Sequence, residues 1–290
     1  MANTPSPYPL MAKFISFIEA REELRRRRAN GDWPWTNDPI LGGYRFCNVN
    51  RQHDRMTILL QDWLSVGAGN PVFIEFNAVP LRLFNQRHTM DLIGWMDPTK
   101  PGWEEQIRNG VEAVRKKGLT PFNAAYIVST NGVAMDKVDY LIERVIGNVA
   151  ERWKTRPKPG SLCHDWAKWY MESDGLGNFI ANQIVTDLKY GPLKHAADWE
   201  TFVLAGPGTI RGLNRMLGVD KGMSIPQAMA QKHLVDIRAH LRKQKLKWVN
   251  VDCFNDLNNL SNCFCEFDKY MRCILEEGTP KQRYEAVEEV

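Results

Sequence analysis

The residues best suited to chemistry fall in four stretches of the 290-residue sequence. The first, residues 44–55 (YRFCNVNRQHDR), places Asn48, Arg51 and Arg55 within roughly 60° of one another on a helical wheel, with Asp54 beside them. Such a basic stripe is usually a solvated, salt-bridged face; its apolar neighbours Phe46, Val49, Ile58 and Leu59 point instead to arginines held in a cleft. The second is a glycine turn between helical patterns, Gly175-Leu176-Gly177-Asn178, with a small residue, Ala181, four positions after the second glycine. Its glycines let the backbone approach closely and leave N–H groups free to receive a phosphate, while a plain helical hairpin with a glycine cap is the alternative. The third, Gly206-Pro207-Gly208-Thr209-Ile210-Arg211-Gly212, puts glycines and an arginine at a helix N-terminus, where the dipole and a guanidinium can grip an anion; a structural tight turn is the other reading. The fourth is a C-terminal helical pattern that gathers Asp256, Asn259, Cys263, Glu266 and Tyr270 on one face, opposite Leu257, Leu260, Phe264 and Phe267, with Lys269 adjoining. Polar groups on one helix face are candidates for acid/base work or substrate positioning, or simply the wet side of an amphipathic helix.

Several other chemistries are excluded by pattern. No GxxxxGK[ST] occurs, so the chain cannot cradle a triphosphate in the P-loop manner. The glycines at 206–212 miss the dinucleotide fingerprint by one residue and sit among helices. Neither GxSxG nor HExxH appears. The six cysteines show no CxxC pair and no zinc-like Cys/His spacing, and Cys263 and Cys265 would point about 200° apart on a helix; they are expected to be free thiols in a reducing cytoplasm, mostly as small packing residues. No metal site and no required cofactor are read from the sequence, with a divalent cation left open.

Positioning these residues falls to helices. Apolar spacing of three to four predicts helices over 11–29, 54–66, 103–117, 136–153, 162–173, 177–190, 198–204, 209–217, 226–244 and 256–276, separated by Gly, Pro, Asn or Asp. Residues 71–76 (PVFIEF) and 125–129 (AYIVS) have the β-branched content of short strands. An all-α protein is expected, with lobes 1–154 and 162–290 around a cleft, joined by the Pro/Gly-rich segment 155–161. A hydrophobic fraction of 43%, ten tryptophans and a charged fraction of 25% rule out wholesale disorder. No signal peptide is read at the N-terminus, and no apolar run nears the ~18 residues a membrane span needs. The net charge of +4 is too small to argue for a nucleic-acid partner on its own.

Taken in order, YRFCNVNRQHDR, GLGNFIANQIVTDL, DWETFVLAGPGTIRGL and CEFDKY resemble the alpha-glutamyl/putrescinyl thymine pyrophosphorylases of phage DNA hypermodification and the related helical domain of 5-hydroxymethyluracil DNA kinases. Two positions depart from the family's pattern: Asn259, where an acidic residue is usual, and Cys47, where threonine is. The Gly175 turn also resembles the helix-hairpin-helix of DNA glycosylases, and Asp198 falls about where those enzymes carry an active-site aspartate, at the start of a helix. The resemblance implies an all-α, glycosylase-like fold and a transferase that displaces pyrophosphate from 5-pyrophosphoryloxymethyl-deoxyuridine in double-stranded DNA. The nucleophile would be an amino acid or polyamine. Asp198, Glu266 and Asp54 would then be the catalytic carboxylates. Asn48, Arg51, Arg55, Arg211 and Lys269 would bind substrate and leaving group, and Gly175, Gly177, Asn178, Gly206 and Gly208 would bind DNA. Trp199, Phe179 or Tyr44 would stack on an extruded base, and the basic runs 238–247 and 152–158 would support DNA contact. A helix-hairpin-helix glycosylase and a non-catalytic DNA-binding partner of a kinase are the alternatives. A cytoplasmic location, in the host cell for a phage protein, follows from the same reading.

Overall fold

The computed structural model describes residues 8–65, 73–123 and 129–284. In chain order the α-helices are α1 (Met11–Asn30), α2 (Pro39–Gly43), α3 (Arg55–Ser65), α4 (Ile74–Phe84), α5 (Arg87–Ile93), α6 (Trp103–Lys116), α7 (Lys137–Tyr140), α8 (Gly147–Glu151), α9 (Cys163–Met171), α10 (Asn178–Leu188), α11 (Pro207–Leu217), α12 (Gln227–Leu241) and α13 (Leu257–Ile274). A π-helical stretch, Leu141–Ile146, joins α7 to α8. Among the described residues the regular elements are helical, and Tyr44 with Arg283 forms an isolated antiparallel bridge.

The all-α expectation therefore holds, while three local expectations do not and a fourth falls outside the described residues. The apolar run at 71–76 is not a strand: its described part lies in α4, which buries every residue from Phe76 to Phe84, so the sequence shows no face to read. Of the strand expected at 125–129, all but Ser129 lies outside the described residues. No helix forms over 198–204, because side chains occupy that backbone: Gln231 Nε2 donates to the Thr201 carbonyl at 2.7 Å, and Asn258 Nδ2 donates to the Phe202 carbonyl at 2.9 Å. Residues 44–50 are likewise non-helical; a single 3-10 turn covers Arg51–His53, and α3 begins only at Arg55, so the arginine stripe drawn on a helical wheel does not form.

The chain divides into two compact units, Met1–Arg51 with Glu200–Val290, and Gln52–Trp199. These replace the lobes expected at 1–154 and 162–290: the 155–161 segment lies inside the second unit. The first unit is built around α13. Phe14 of α1 stacks on Phe264 with ring centroids 4.4 Å apart and meets Phe267 edge-on at 5.3 Å, which ties the N-terminal helix to the C-terminal one. On another side α11 lies unusually close to α13. A Cβ on Gly212 would stand 2.2 Å from the Phe264 carbonyl oxygen, and one on Gly208 would stand against Cys265 Sγ. Thr209 Oγ1 seals the contact by donating to the Ser261 carbonyl at 2.9 Å.

The second unit is organised around a buried charge. Arg82 and Asp187 are both fully buried, and the guanidinium donates from Nε and Nη2 to the two carboxylate oxygens. Thr57 Oγ1 donates to Asp187 Oδ1 at 2.6 Å, and Arg82 Nη1 reaches Asn85 Oδ1 at 3.2 Å. These bonds link α3, α4 and α10. Removing one member of such a pair costs about 3–5 kcal/mol, because the other charge stays buried.

The close approach of α11 and α13 gives a direct test. Gly212→Ala is expected to destabilise the protein by about 1–3 kcal/mol in urea unfolding, since backbone must shift to admit the methyl group. Gly43→Ala, with open space around its Cβ, should stay within about 0.5 kcal/mol of wild type. Equal effects would contradict the packing described.

Candidate functional site

In the first unit the polar face of α13 holds extended backbone. Along the helix, Asn259 Oδ1 accepts from the Arg51 N–H at 2.7 Å, Asn262 Nδ2 donates to the Asn48 carbonyl at 3.3 Å, and Glu266 Oε2 accepts from the Cys47 N–H at 2.9 Å. Lys269 Nζ then donates to the Arg45 carbonyl at 3.3 Å, and Tyr270 donates its hydroxyl proton to Asp38 Oδ2 at 2.6 Å. Residues 45–51 thus run antiparallel to α13, and their backbone groups are satisfied by side chains instead of a sheet. Asn48 and Arg51 are docked by their backbones along the helix that carries Glu266 and Lys269. Antiparallel docking, not a shared helix face, sets this arrangement.

Glu266 and Lys269 form the ionic centre of this group. They pair at 2.5 Å, with Glu266 buried and Lys269 Nζ lying 4.8 Å from the Phe46 ring centroid. Burial works against the lysine charge, but Glu266 and the Cys47 thiol outweigh it and raise the Lys269 pKa, so the amine remains an ammonium. The neighbouring thiols are protonated too: burial, with Glu266 adding to it, pushes Cys265 up to about 12, and burial pushes Cys263 well above its ordinary value. They serve as packing groups, not nucleophiles.

One arginine escaped sequence reasoning. Arg21 of α1 is 6% exposed, and its Nη2 donates to the Phe46 carbonyl at 2.9 Å and to Asn48 Oδ1 at 2.7 Å. Its Nε and Nη1 are buried without a hydrogen-bond partner. It precedes the run Arg25–Arg28 in the sequence, which masked it as one more charge on a basic helix end.

The remaining first-unit candidates have structural partners. Arg211 Nε donates to Asp268 Oδ2 at 2.9 Å, and Arg215 Nε to Asp268 Oδ1 at 2.8 Å, around a carboxylate that is itself buried. Gly206 stands at the N-cap of α11, but Gly208 faces Cys265, so this turn serves helix packing at the position where an anion was expected.

In the second unit the carboxylates act as caps. Asp54 Oδ1 accepts from the Met56 and Thr57 N–H groups at 2.9 and 3.2 Å, starting α3, and also from Arg82 Nη2 at 3.2 Å. Arg55, the first residue of α3, is exposed. Asp198 does not begin a helix. From a turn, it accepts the Cys163 and His164 N–H groups at 2.7 and 3.0 Å and so caps α9 from outside. The first glycine turn lies between α9 and α10. Gly175 has φ +76° with Val145 packed where a Cβ would go, while Gly177 and Asn178 are exposed at the start of α10 and nothing lies within 4 Å of a Cβ on Gly177. The two glycine turns therefore differ: one is open and one is closed by a neighbouring helix.

A second residue missed from sequence is Glu75, hidden in the run read as a strand. Burial pushes its carboxyl up to about 7, against the opposing pull of its own backbone N–H and of Arg156. The Tyr170 hydroxyl donates to the Glu75 carbonyl at 2.7 Å.

A family model described as "5-hmdU DNA kinase, helical domain" matches residues 8–279. Over 224 residues the chain is 26% identical to a protein named 5-hmdU DNA kinase from Bacillus phage SP10, an alignment covering 69% of this chain and 35% of that protein. The chain thus spans about a third of that relative's length. No solved structure matches. Among the described residues no helix is long and apolar enough to cross a membrane.

Glu75 makes stability depend on pH in a definite sense. An unfolded glutamate releases its proton near 4.5 and the native one near 7, so the native state binds more protons between them. This contribution is complete below about pH 4.5 and is lost as pH rises to about 7. Urea midpoints measured across that window should fall less with rising pH in Glu75→Gln than in wild type; identical slopes would contradict the burial described.

Proposed function

The chain belongs to the family of 5-hmdU DNA kinase helical domains, and we propose that it acts in the hypermodification of thymine in DNA, as a transferase. It displaces pyrophosphate from 5-pyrophosphoryloxymethyl-deoxyuridine with an amino acid or polyamine. The observation that carries this reading is a family match over residues 8–279, together with a Glu266–Lys269 ion pair, half-buried, at the segment 45–51.

In the reaction, the amine nitrogen forms a bond to the exocyclic methylene carbon, the carbon–oxygen bond breaks, and pyrophosphate leaves with the electron pair. The incoming ammonium must first lose a proton, since only the neutral amine is a nucleophile. Glu266 is the proton acceptor in this account. Lys269, held as an ammonium, stabilises negative charge as the leaving group departs. Arg51 and Arg211 are the further cations for the pyrophosphate, with Asn48 positioning the segment that carries Arg51. The open turn at Gly175, Gly177 and Asn178 supports a helix-hairpin-helix contact to the DNA backbone within a glycosylase-like fold.

A second reading is a non-catalytic helical DNA-binding partner of a kinase. The capping roles of Asp54 and Asp198 favour it, because all three expected catalytic carboxylates, Glu266 included, accept backbone N–H groups.

Mass analysis of a duplex bearing 5-pyrophosphoryloxymethyl-uracil, after incubation with amino acids and polyamines, separates the readings. Transfer is expected to appear as gain of one amine with loss of pyrophosphate. Glu266→Gln should slow it by about 10²-fold or more, the usual range for a general base. Asp198→Asn, which keeps a capping side chain, should leave the rate within a few-fold. Unchanged DNA that is still bound supports the second reading, and an abasic site supports a glycosylase.

A further inference from the structure

Beyond the C-terminal end of α1 the first unit carries a ledge of aromatic rings and arginines that the transfer chemistry above does not use. Trp33 and Trp35 meet edge-on with ring centroids 4.9 Å apart, and Trp35 meets Tyr284 in the same way at 5.8 Å. The Arg28 guanidinium lies over two of these rings, 4.9 Å from the Trp35 centroid and 5.1 Å from that of Tyr284. Arg45 approaches Tyr284 at 6.0 Å, and Arg283 lies 5.4 Å from the Tyr44 ring. Backbone bonds between 43–45 and 282–284 join these residues from both ends of the sequence into one surface.

The arginines are held by rings, not by carboxylates. Among the described residues Arg28 and Arg283 make no ion pair and no side-chain hydrogen bond, and both are exposed. Stacking occupies the flat face of a guanidinium and leaves the N–H groups at its edge free, which is the geometry that grips phosphate oxygens. Of the two acidic residues in the 28–45 stretch, Asp38 is committed to the Tyr270 hydroxyl and to the start of α2, which leaves Asp32 against three arginines. The ledge is therefore positive. Trp33, at its end, is 58% exposed and presents indole surface to solvent.

We propose that this ledge binds an unpaired stretch of a DNA strand, with a base on Trp33 and phosphates on Arg28 and Arg283. A duplex offers phosphates but hides the faces of its bases in the stack, so it would use the arginines and leave Trp33 idle. An acidic peptide would do the same. An anionic membrane accepts an interfacial tryptophan, but the rings of Trp35, Tyr44 and Tyr284 are half-buried with arginines over them and offer it no apolar face.

The ledge adjoins the Glu266–Lys269 pair. The Arg45 carbonyl accepts from Lys269 Nζ, and the next residue, Phe46, carries the ring beside that ammonium. In the transfer reading the ledge holds open the strand that bears the modified base, and the inference rests on that reading for its choice of DNA. Binding is measured with unmodified DNA and no amine, so the two can fail separately.

The full chain is titrated by fluorescence anisotropy against a labelled oligothymidine of about 12 nucleotides and against the same strand paired with oligodeoxyadenosine. Phosphatidylserine vesicles and polyglutamate are the comparison probes. The single strand should bind at least tenfold more tightly than the duplex. Trp33→Ala should weaken single-strand binding about tenfold, the usual worth of one stacked base, and Trp33→Phe should restore most of it. Neither change should move duplex affinity more than about twofold. Arg28→Ala combined with Arg283→Ala should flatten the salt dependence of single-strand binding by about 1.4 in log–log slope, at about 0.7 for each phosphate. Each variant is checked for native circular dichroism. No binding of the single strand, equal affinity for the duplex, a Trp33→Ala protein that binds the single strand like wild type, or an unchanged salt slope overturns the proposal. Tighter binding to the vesicles or to polyglutamate than to the single strand overturns it as well.

Discussion

The first unit depends on side chains of one helix replacing a missing β-ladder. The segment 45–50 forms no helix, and beyond the bond from the Arg45 N–H to the Gln282 carbonyl its N–H and carbonyl groups draw on side chains. Asn259, Asn262, Glu266 and Lys269 supply them in sequence along α13. This requirement explains why α13 is polar on a face that is buried: the face is wet in composition and dry in place. It also explains why Glu266 and Lys269 pair, since a lone carboxylate accepting one backbone N–H there would be a costly buried charge.

The same helix has to be approached closely on its other sides, and that restricts α1 and α11. The Phe14–Phe264 stack needs flat contact, and α11 gains its proximity by presenting Gly208 and Gly212 to α13. The second unit solves the equivalent problem with charge, threading Arg82 and Asp187 through its centre and extending the network to Asp54. In both units residues that look reactive are first of all structural. The distinguishing marks of a functional group are then the ones left over: a carboxylate beside an ammonium at Glu266, and the Arg28 and Arg283 guanidiniums laid over aromatic rings.

Much of this was legible in the sequence because amphipathic helices write their period plainly. Helices α1, α3, α6 and α9 to α13 lie close to where the spacing of apolar residues put them. Helix α4 was not legible, because it is buried all round and carries a proline, so its apolar run has no period to distinguish it from a strand. The polar segment 44–55 misled for the opposite reason: its residues fit a helical wheel, while the contacts that make it extended lie more than 200 residues away on α13. The polar face of α13 was visible as composition, whereas the capping duty of Asp198 was not, since a cap on another element leaves no local trace.

The most direct test of the transfer chemistry is the phosphorus balance. With a duplex bearing 5-pyrophosphoryloxymethyl-uracil, ³¹P NMR should show release of one inorganic pyrophosphate for each amine joined to DNA, and none when the amine is withheld. Pyrophosphate release that does not depend on the amine, or none in the presence of any amine while the DNA remains bound, would contradict the account.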